Sequence, residues 1–295
     1  MIGMHFTSAG DFDSIPAEVT HIRLWDVGVH WGAIHTAVDT YDWTLLDSLV
    51  DKAAGRHLTY VIAGCPRWLA KYPDQAHFAP WLGAGSNSMP YSIDEANKFA
   101  WQLATRYAGR INAYEVWNEP QLPDFLYPYT DAECNTLATM TKRLYATIKK
   151  CDPAAMVLAA SILPRESSGG MKRARRYLTA MQRKDWNVDA FTCHIYPEVG
   201  FWAPRWASML QDVVSTLKSM GAPTARLWVT ETAFGLLGPD TTDEQDTTAV
   251  EGLYSKDGGR FVFWYAWNRP DLGGTFIDGS CAAWTAIKAN HTNTG

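Results

Sequence analysis

The chain has 295 residues, of which 47% are apolar, 13% aromatic and 19% charged, with a formal charge of −5 and a pI near 5.9. That length suits one large α/β core better than two ordinary ones, and a net negative charge with its basic residues scattered, apart from one helix-like stretch, leaves no electrostatic footprint for nucleic acid. No apolar run approaches the roughly 20 residues that would span a bilayer, which excludes a membrane-helix protein. Met1 leads into a predicted strand within a few residues, with no secretory leader pattern ahead of it. The expectation is therefore a chain that acts in the cytoplasm or leaves by lysis or a non-Sec route, unless a leader was removed.

Short β-rich runs predict strands at Ile2–Phe6, His21–Asp26, Leu58–Ala63, Ala113–Asn118, Met156–Ala160, Ala190–Ile195, Leu227–Glu231 and Arg260–Trp267. Segments with helical spacing lie between them, at Trp43–Gly55, Ile93–Ala108, Asp131–Lys150, Met171–Arg183, Ala207–Met220 and Thr242–Tyr254, with Ala282–Ala289 closing the chain. Such alternation implies parallel strands. Eight of them with intervening helices predict an α/β fold of the TIM barrel type, (β/α)8, as a single catalytic domain over residues 1–295. An open doubly wound sheet is disfavoured, because Gly83–Gly85 is a lone GxG before a Ser/Asn loop and not a phosphate-binding turn.

Five cysteines, at 65, 134, 151, 193 and 281, form an odd set without CxxC spacing. They read as free thiols serving as small buried hydrophobes, with a Cys134–Cys151 bridge as the alternative. There is no HxH or HExxH ligand set, so no metal and no cofactor is expected.

Barrel enzymes place their chemistry at the C-terminal ends of the strands. Those ends carry Arg23, then Asp26, His30 and Trp31; Trp68 after strand three; Asn118 and Glu119 after strand four; His194 and Tyr196 after strand six; Glu231 at the end of strand seven; and Trp267 at the end of strand eight. Two carboxylates facing each other across a barrel mouth suit attack on, and protonation of, opposite sides of one bond. Glycoside hydrolysis needs that pair, and a separation of about 5–5.5 Å gives a covalent intermediate and retained configuration. A retaining enzyme acting on an oligo- or polysaccharide or a glycoconjugate is expected. A non-catalytic carbohydrate-binding barrel and a transglycosylase are the alternatives.

The segments VWNEP with Glu119, HIYP with His194 and Tyr196, VTET with Glu231, and WYAWN with Trp267 resemble clan A glycoside hydrolases over nearly the whole barrel. EVWNEP followed by PDFLY, together with DAFTCHIYP, looks most like family 39, with family 5 next. The resemblance implies that Glu119 is the general acid/base and Glu231 the nucleophile. Arg23 stands at the clan's strand-two arginine position.

Each supporting residue has a physical rationale. Asn118 can bond the hydroxyl beside the reacting carbon, Tyr196 can donate to Glu231, His194 can orient the ring or its neighbours, and Trp267 can floor the sugar. Arg23 can hold Glu231 ionised or can neutralise Glu115, which shares the strand parity of Glu119 and reads as a buried structural acid. His30, Trp31 and Trp68 are subsite residues or loop anchors, and Trp202 and Trp206 read as packing residues. Glu198 and Asp240 are the alternatives to Glu231. The basic stretch Lys172, Arg173, Arg175, Arg176, Arg183 and Lys184 reads as a solvated helix face on the outer ring away from the mouth, or as a contact for an anionic polymer or partner.

Overall fold

A computed structural model describes residues 2–165, 169–196, 204–223, 226–233, 262–267 and 282–292. Within these residues the strands are β1 (Gly3–His5), β2 (His21–Leu24), β3 (His35–Ala37), β4 (Thr40–Tyr41), β5 (His57–Ile62), β6 (Ala113–Val116), β7 (Met156–Leu158), β8 (Phe191–Ile195), β9 (Leu227–Thr232) and β10 (Val262–Trp264). The helices that frame them include α1 (Trp31–Ile34), α2 (Thr44–Lys52), α3 (Ile93–Arg106), α4 (Asp131–Cys151), α5 (Gly170–Gln182) and α6 (Pro204–Ser219), followed by Ala282–Thr292.

Eight of the described strands form one sheet in the order β7-β6-β5-β2-β1-β10-β9-β8, and every pairing in it is parallel. Parallel bridges Leu158–Ala190 and Ile162–Cys193 bring β7 against β8, so the sheet curls round upon itself into the TIM barrel. Its strands are buried almost throughout, as expected where a parallel sheet is covered on both faces.

The helices start where their sequences provide caps. Ser92 accepts from the Glu95 N–H at the head of α3, and Thr130 accepts from the Glu133 N–H at the head of α4, with acidic residues in both first turns. On α3 the residues Ala96, Phe99, Ala100, Leu103 and Ala104 recur at three- and four-residue spacing and are buried against the barrel. Cys134 and Cys151 are both free and lie 17 residues apart on α4, about 25 Å along its axis, so the alternative bridge between them is excluded.

Three features differ from the sequence expectation. The one-turn helix α1 and the antiparallel pair β3–β4 were not anticipated, because elements of two to four residues carry no readable period. Strand four ends at Val116 instead of Asn118, because the backbone turns left-handed at Trp117 (φ 80°) and again at Glu119 (φ 39°). The segment Thr242–Tyr254, expected to be helical, lies outside the described residues, as do Glu198, Trp202, Asp240 and the side chain of Trp206.

Left-handed backbone at residues with a Cβ costs about 1–2 kcal/mol each. Here it is held by specific bonds. The Trp117 N–H donates to Ile62 O (3.1 Å), its indole Nε1 donates to Phe125 O (2.8 Å), and the Glu119 N–H donates to the Ser161 hydroxyl (3.0 Å). The turn thereby lifts Glu119 off the strand axis at the barrel rim.

Candidate active site

Arg23, on β2, is fully buried inside the barrel and distributes its guanidinium over three partners. Nε donates to Glu115 (2.7 Å), one terminal nitrogen donates to Glu231 Oε1 (2.6 Å) and the other to Asn118 Oδ1 (2.8 Å). Burial by itself would lower its pKa, but Glu115 and Glu231 outweigh that and raise it, so the group stays a cation. The two alternatives read from sequence are thus both realised, since a guanidinium has five donors. Glu115 is further held on Oε1 by the hydroxyls of Thr192 (2.9 Å) and Thr230 (3.3 Å).

Glu231, on β9, has both oxygens engaged: Arg23 holds Oε1, and the Tyr196 hydroxyl donates to Oε2 at 2.6 Å. Burial, followed by the charges of Glu231 and Glu119, keeps the Tyr196 phenol well above its usual pKa, so it remains a donor.

Glu119 sits 7% exposed with its Oε1 2.6 Å from His194 Nδ1. Burial pushes its carboxyl up to about 7, against the pull of Arg165 and Arg23 and with a further push from Asp26 and Glu115. His194 is fully buried and lowered to about 4, again by burial, with Glu231 pulling the other way. The imidazole is therefore neutral near neutral pH, and Nδ1 shares one proton with Glu119 while standing 3.3 Å from Glu231 Oε2. Nε2 has no partner among the described residues, so the ring is held from one side only.

One oxygen each of Glu119 and Glu231 and a ring nitrogen of His194 all lie within 4.8 Å of one another. Three such donors could also surround a cation. However, both Glu231 oxygens and His194 Nδ1 already have protein partners, and a divalent ion would have to displace them beside the positive charge of Arg23.

Glu119, Glu231, Arg23, Asn118, His194 and Tyr196 thus converge at one mouth. Trp267, half-buried, packs edge-on against Trp284 (5.3 Å), and its N–H donates to His5 O at the end of β1. His30 is mostly buried beside Gly64, whose φ of 75° and missing side chain admit the ring; burial lowers its pKa to about 4. Trp31 and Trp68 are both tied to His35. Trp31 is fully buried, stacked on Phe99 and bonded through Nε1 to His35, while Trp68 Nε1 donates to His35 O, so an aromatic stack beside the barrel takes both as anchors. Trp31 in particular has no surface to offer a sugar, which corrects the subsite alternative for it.

Sequence reasoning missed Ser161, Thr192, Thr230 and Gln121. It also missed Trp81, a 57% exposed ring set edgewise against Phe125, which in turn meets the buried Trp25 at the end of β2. A signal existed for Trp81, since a tryptophan in the loop segment HFAPWLGAG has no strand or helix to bury it.

Solved structures share this architecture over nearly the whole chain. A family 39 enzyme from Xanthomonas axonopodis pv. citri aligns with a TM-score of 0.71 at 20% identity, covering 100% of this chain and 66% of that one. A family 39 β-xylosidase from Caulobacter crescentus aligns with a TM-score of 0.69 at 18% identity, covering 96% and 66%. Xylanase 10B from Thermotoga petrophila RKU-1, solved with xylobiose, aligns with a TM-score of 0.64 at 12% identity, covering 99% and 94%. The chain thus spans just under two thirds of the length of the family 39 structures. The fold is that of the clan A glycosidase barrels. No curated protein sequence matches the chain. Residues 80–291 match the glycosyl hydrolase catalytic core family, and the chain belongs to it.

Proposed function

We propose that the chain is a retaining glycoside hydrolase that cleaves a polysaccharide or glycoconjugate by double displacement. The observation that carries this is the placement of Glu119 and Glu231 with oxygens within 4.8 Å of each other in opposite electrostatic surroundings. That spacing is short of the roughly 6.5–9.5 Å by which an inverting pair makes room for a water beside the sugar.

In the first step the Glu231 carboxylate attacks the anomeric carbon, the glycosidic C–O bond breaks, and the Glu119 proton passes to the leaving oxygen. In the second, Glu119 takes a proton from a water that attacks the same carbon and frees Glu231. Arg23 and Tyr196 both donate to Glu231 and aim it, and His194 holds the Glu119 carboxyl in place. Asn118, with Oδ1 bonded to Arg23, has its amide NH2 to donate to a sugar hydroxyl beside the reacting carbon.

The acid must be protonated to act, so turnover of an ordinary glycoside should fall as pH rises through about 7. Glu119→Gln should slow such substrates by about 10³-fold. It should spare the first step on an aryl glycoside whose leaving group needs no proton, and abolish the pH 7 limb on ordinary glycosides. Measured pH–rate profiles check this, and an unchanged limb in the variant would exclude Glu119 as the acid. The same residue costs stability: its pKa rises from 4.5 unfolded to about 7 folded, so the folded state loses about 3 kcal/mol relative to the unfolded as pH climbs through that window. Glu119→Gln should accordingly have the higher Tm at pH 8, and the gap should close towards pH 4.5.

A further inference from the structure

The first two turns of α5 carry Lys172, Arg173, Arg175 and Arg176, all exposed. At roughly 100° per residue they share one arc of about 160° of the helix surface. This helix begins beside the catalytic mouth. Gln121, two residues beyond Glu119 and buried, donates from Nε2 to Leu163 O (3.0 Å) and Gly170 O (3.1 Å), and its Oε1 accepts from the Leu163 N–H (2.7 Å). The expected placement on the outer ring away from the mouth therefore fits Arg183 and Lys184, at the far end of the helix, but not these first turns.

A furrow of about 480 Å³ runs between those turns and the loop that follows Glu119, lined by Tyr127, Tyr129, Lys172, Arg173 and Arg176. The guanidinium groups of Arg173 and Arg176 stand 4.9 Å and 5.4 Å from the centroid of the one Tyr129 ring. Asp131 pairs with Arg176 at 2.8 Å, whereas among the described residues no carboxylate pairs with Arg173 or Lys172. Gly169, with φ 81°, leaves space for the Arg173 stem that any side chain there would take. A neighbouring cavity of about 570 Å³ adds Arg175, with Asp212 on its wall, and shares Lys172 with the furrow.

We propose that this furrow binds an acidic glycan, a strand bearing sugar carboxylates, as an extension of the substrate on the Glu119 side; the inference rests on the glycosidase reading. Converging like charges repel one another until an anion enters, and a guanidinium fork matches a carboxylate. Tyr127 and Tyr129 add flat faces on which pyranose rings stack. Nucleic acid is opposed by the net charge of −5 of the whole chain. A glycan with one carboxylate per sugar is itself an anion, and it is favoured because the furrow adjoins the mouth of the proposed glycosidase and offers its tyrosines to pyranose faces.

The test is calorimetric titration of the Glu119→Gln protein with oligogalacturonates in free-acid and fully methyl-esterified form, so that hydrolysis plays no part. The free acid should bind about tenfold more tightly than the ester, and the preference should weaken as salt is added. Lys172→Glu combined with Arg173→Glu should remove the preference, while in the otherwise unaltered chain the same pair should leave Tm and the hydrolysis of a short neutral aryl glycoside unchanged. Equal affinity for acid and ester overturns the proposal, as does a preference that survives the charge reversal. Binding of poly-glutamate or single-stranded DNA as tight as that of the acid glycan also overturns it, since the furrow would then be a plain polyanion patch. Loss of the glycosidase reading would be seen separately, in turnover that persists without Glu119 and Glu231.

Discussion

Glu231→Gly is expected to lower turnover by about 10⁴-fold or more, because in the proposed mechanism it removes the atom that forms the covalent bond to sugar. The cavity left between Arg23 and Tyr196 is suited to a small anion, since both groups donate into it. Azide should therefore restore turnover on an aryl glycoside. The product should be a glycosyl azide of the anomeric form opposite to that of the substrate, because one displacement now replaces two. The anomeric form is read directly by proton NMR of the product. Rescue that yields the retained anomer, or a Glu231→Gly protein with full activity, would exclude Glu231 as the nucleophile.

Arg23→Leu should be the most damaging change to the fold outside the carboxylates themselves. Glu115 is fully buried and Glu231 nearly so, and the substitution leaves two carboxylates facing a leucine in place of a cation. Breaking a buried pair in this way costs about 3–5 kcal/mol, a large share of the stability of an ordinary domain. The loss is to be measured by denaturant unfolding. Since this variant need not fold well enough to assay, Arg23→Lys separates the two roles. A lysine keeps the charge but cannot bridge Glu115, Glu231 and Asn118 at once. It should retain most of the stability and lose about 10²–10³-fold in kcat with a smaller change in KM, as for the removal of an oriented electrostatic donor. A lysine variant with unchanged kcat would show that Arg23 acts only as the internal counter-ion of Glu115.

The barrel was legible because its strands are buried on both faces and so read as short apolar runs at regular intervals. The residues at the mouth were legible because such strands end abruptly in polar groups: Arg23 in β2, Glu119 beyond β6, His194 and Tyr196 at the end of β8, Glu231 in β9. Thr192 could have been added by the same rule, since Thr192, His194 and Tyr196 alternate along one strand and point to one side. Gln121 could not. A glutamine between prolines has the look of an exposed loop residue, and only the fold reveals that three backbone groups close around it. The ambiguity between Arg23 serving Glu115 and Arg23 serving Glu231 arose from treating the side chain as a point charge, when its planar fork reaches both.

Ser161, Ile62 and the indole of Trp117 together brace the bent segment that presents Glu119, and this has a bearing on how such barrels can be recombined. Residues 117–125 behave as a single casting: the ring of Trp117 is anchored to the carbonyl of Phe125, and the two left-handed bends are supported by Ile62 at the end of β5 and by Ser161 beyond β7. A chimera that grafts only the acidic residue onto another scaffold would carry neither the bends nor the props that present it. Transplantation should succeed when the nine-residue block travels with a hydroxyl at the position of Ser161.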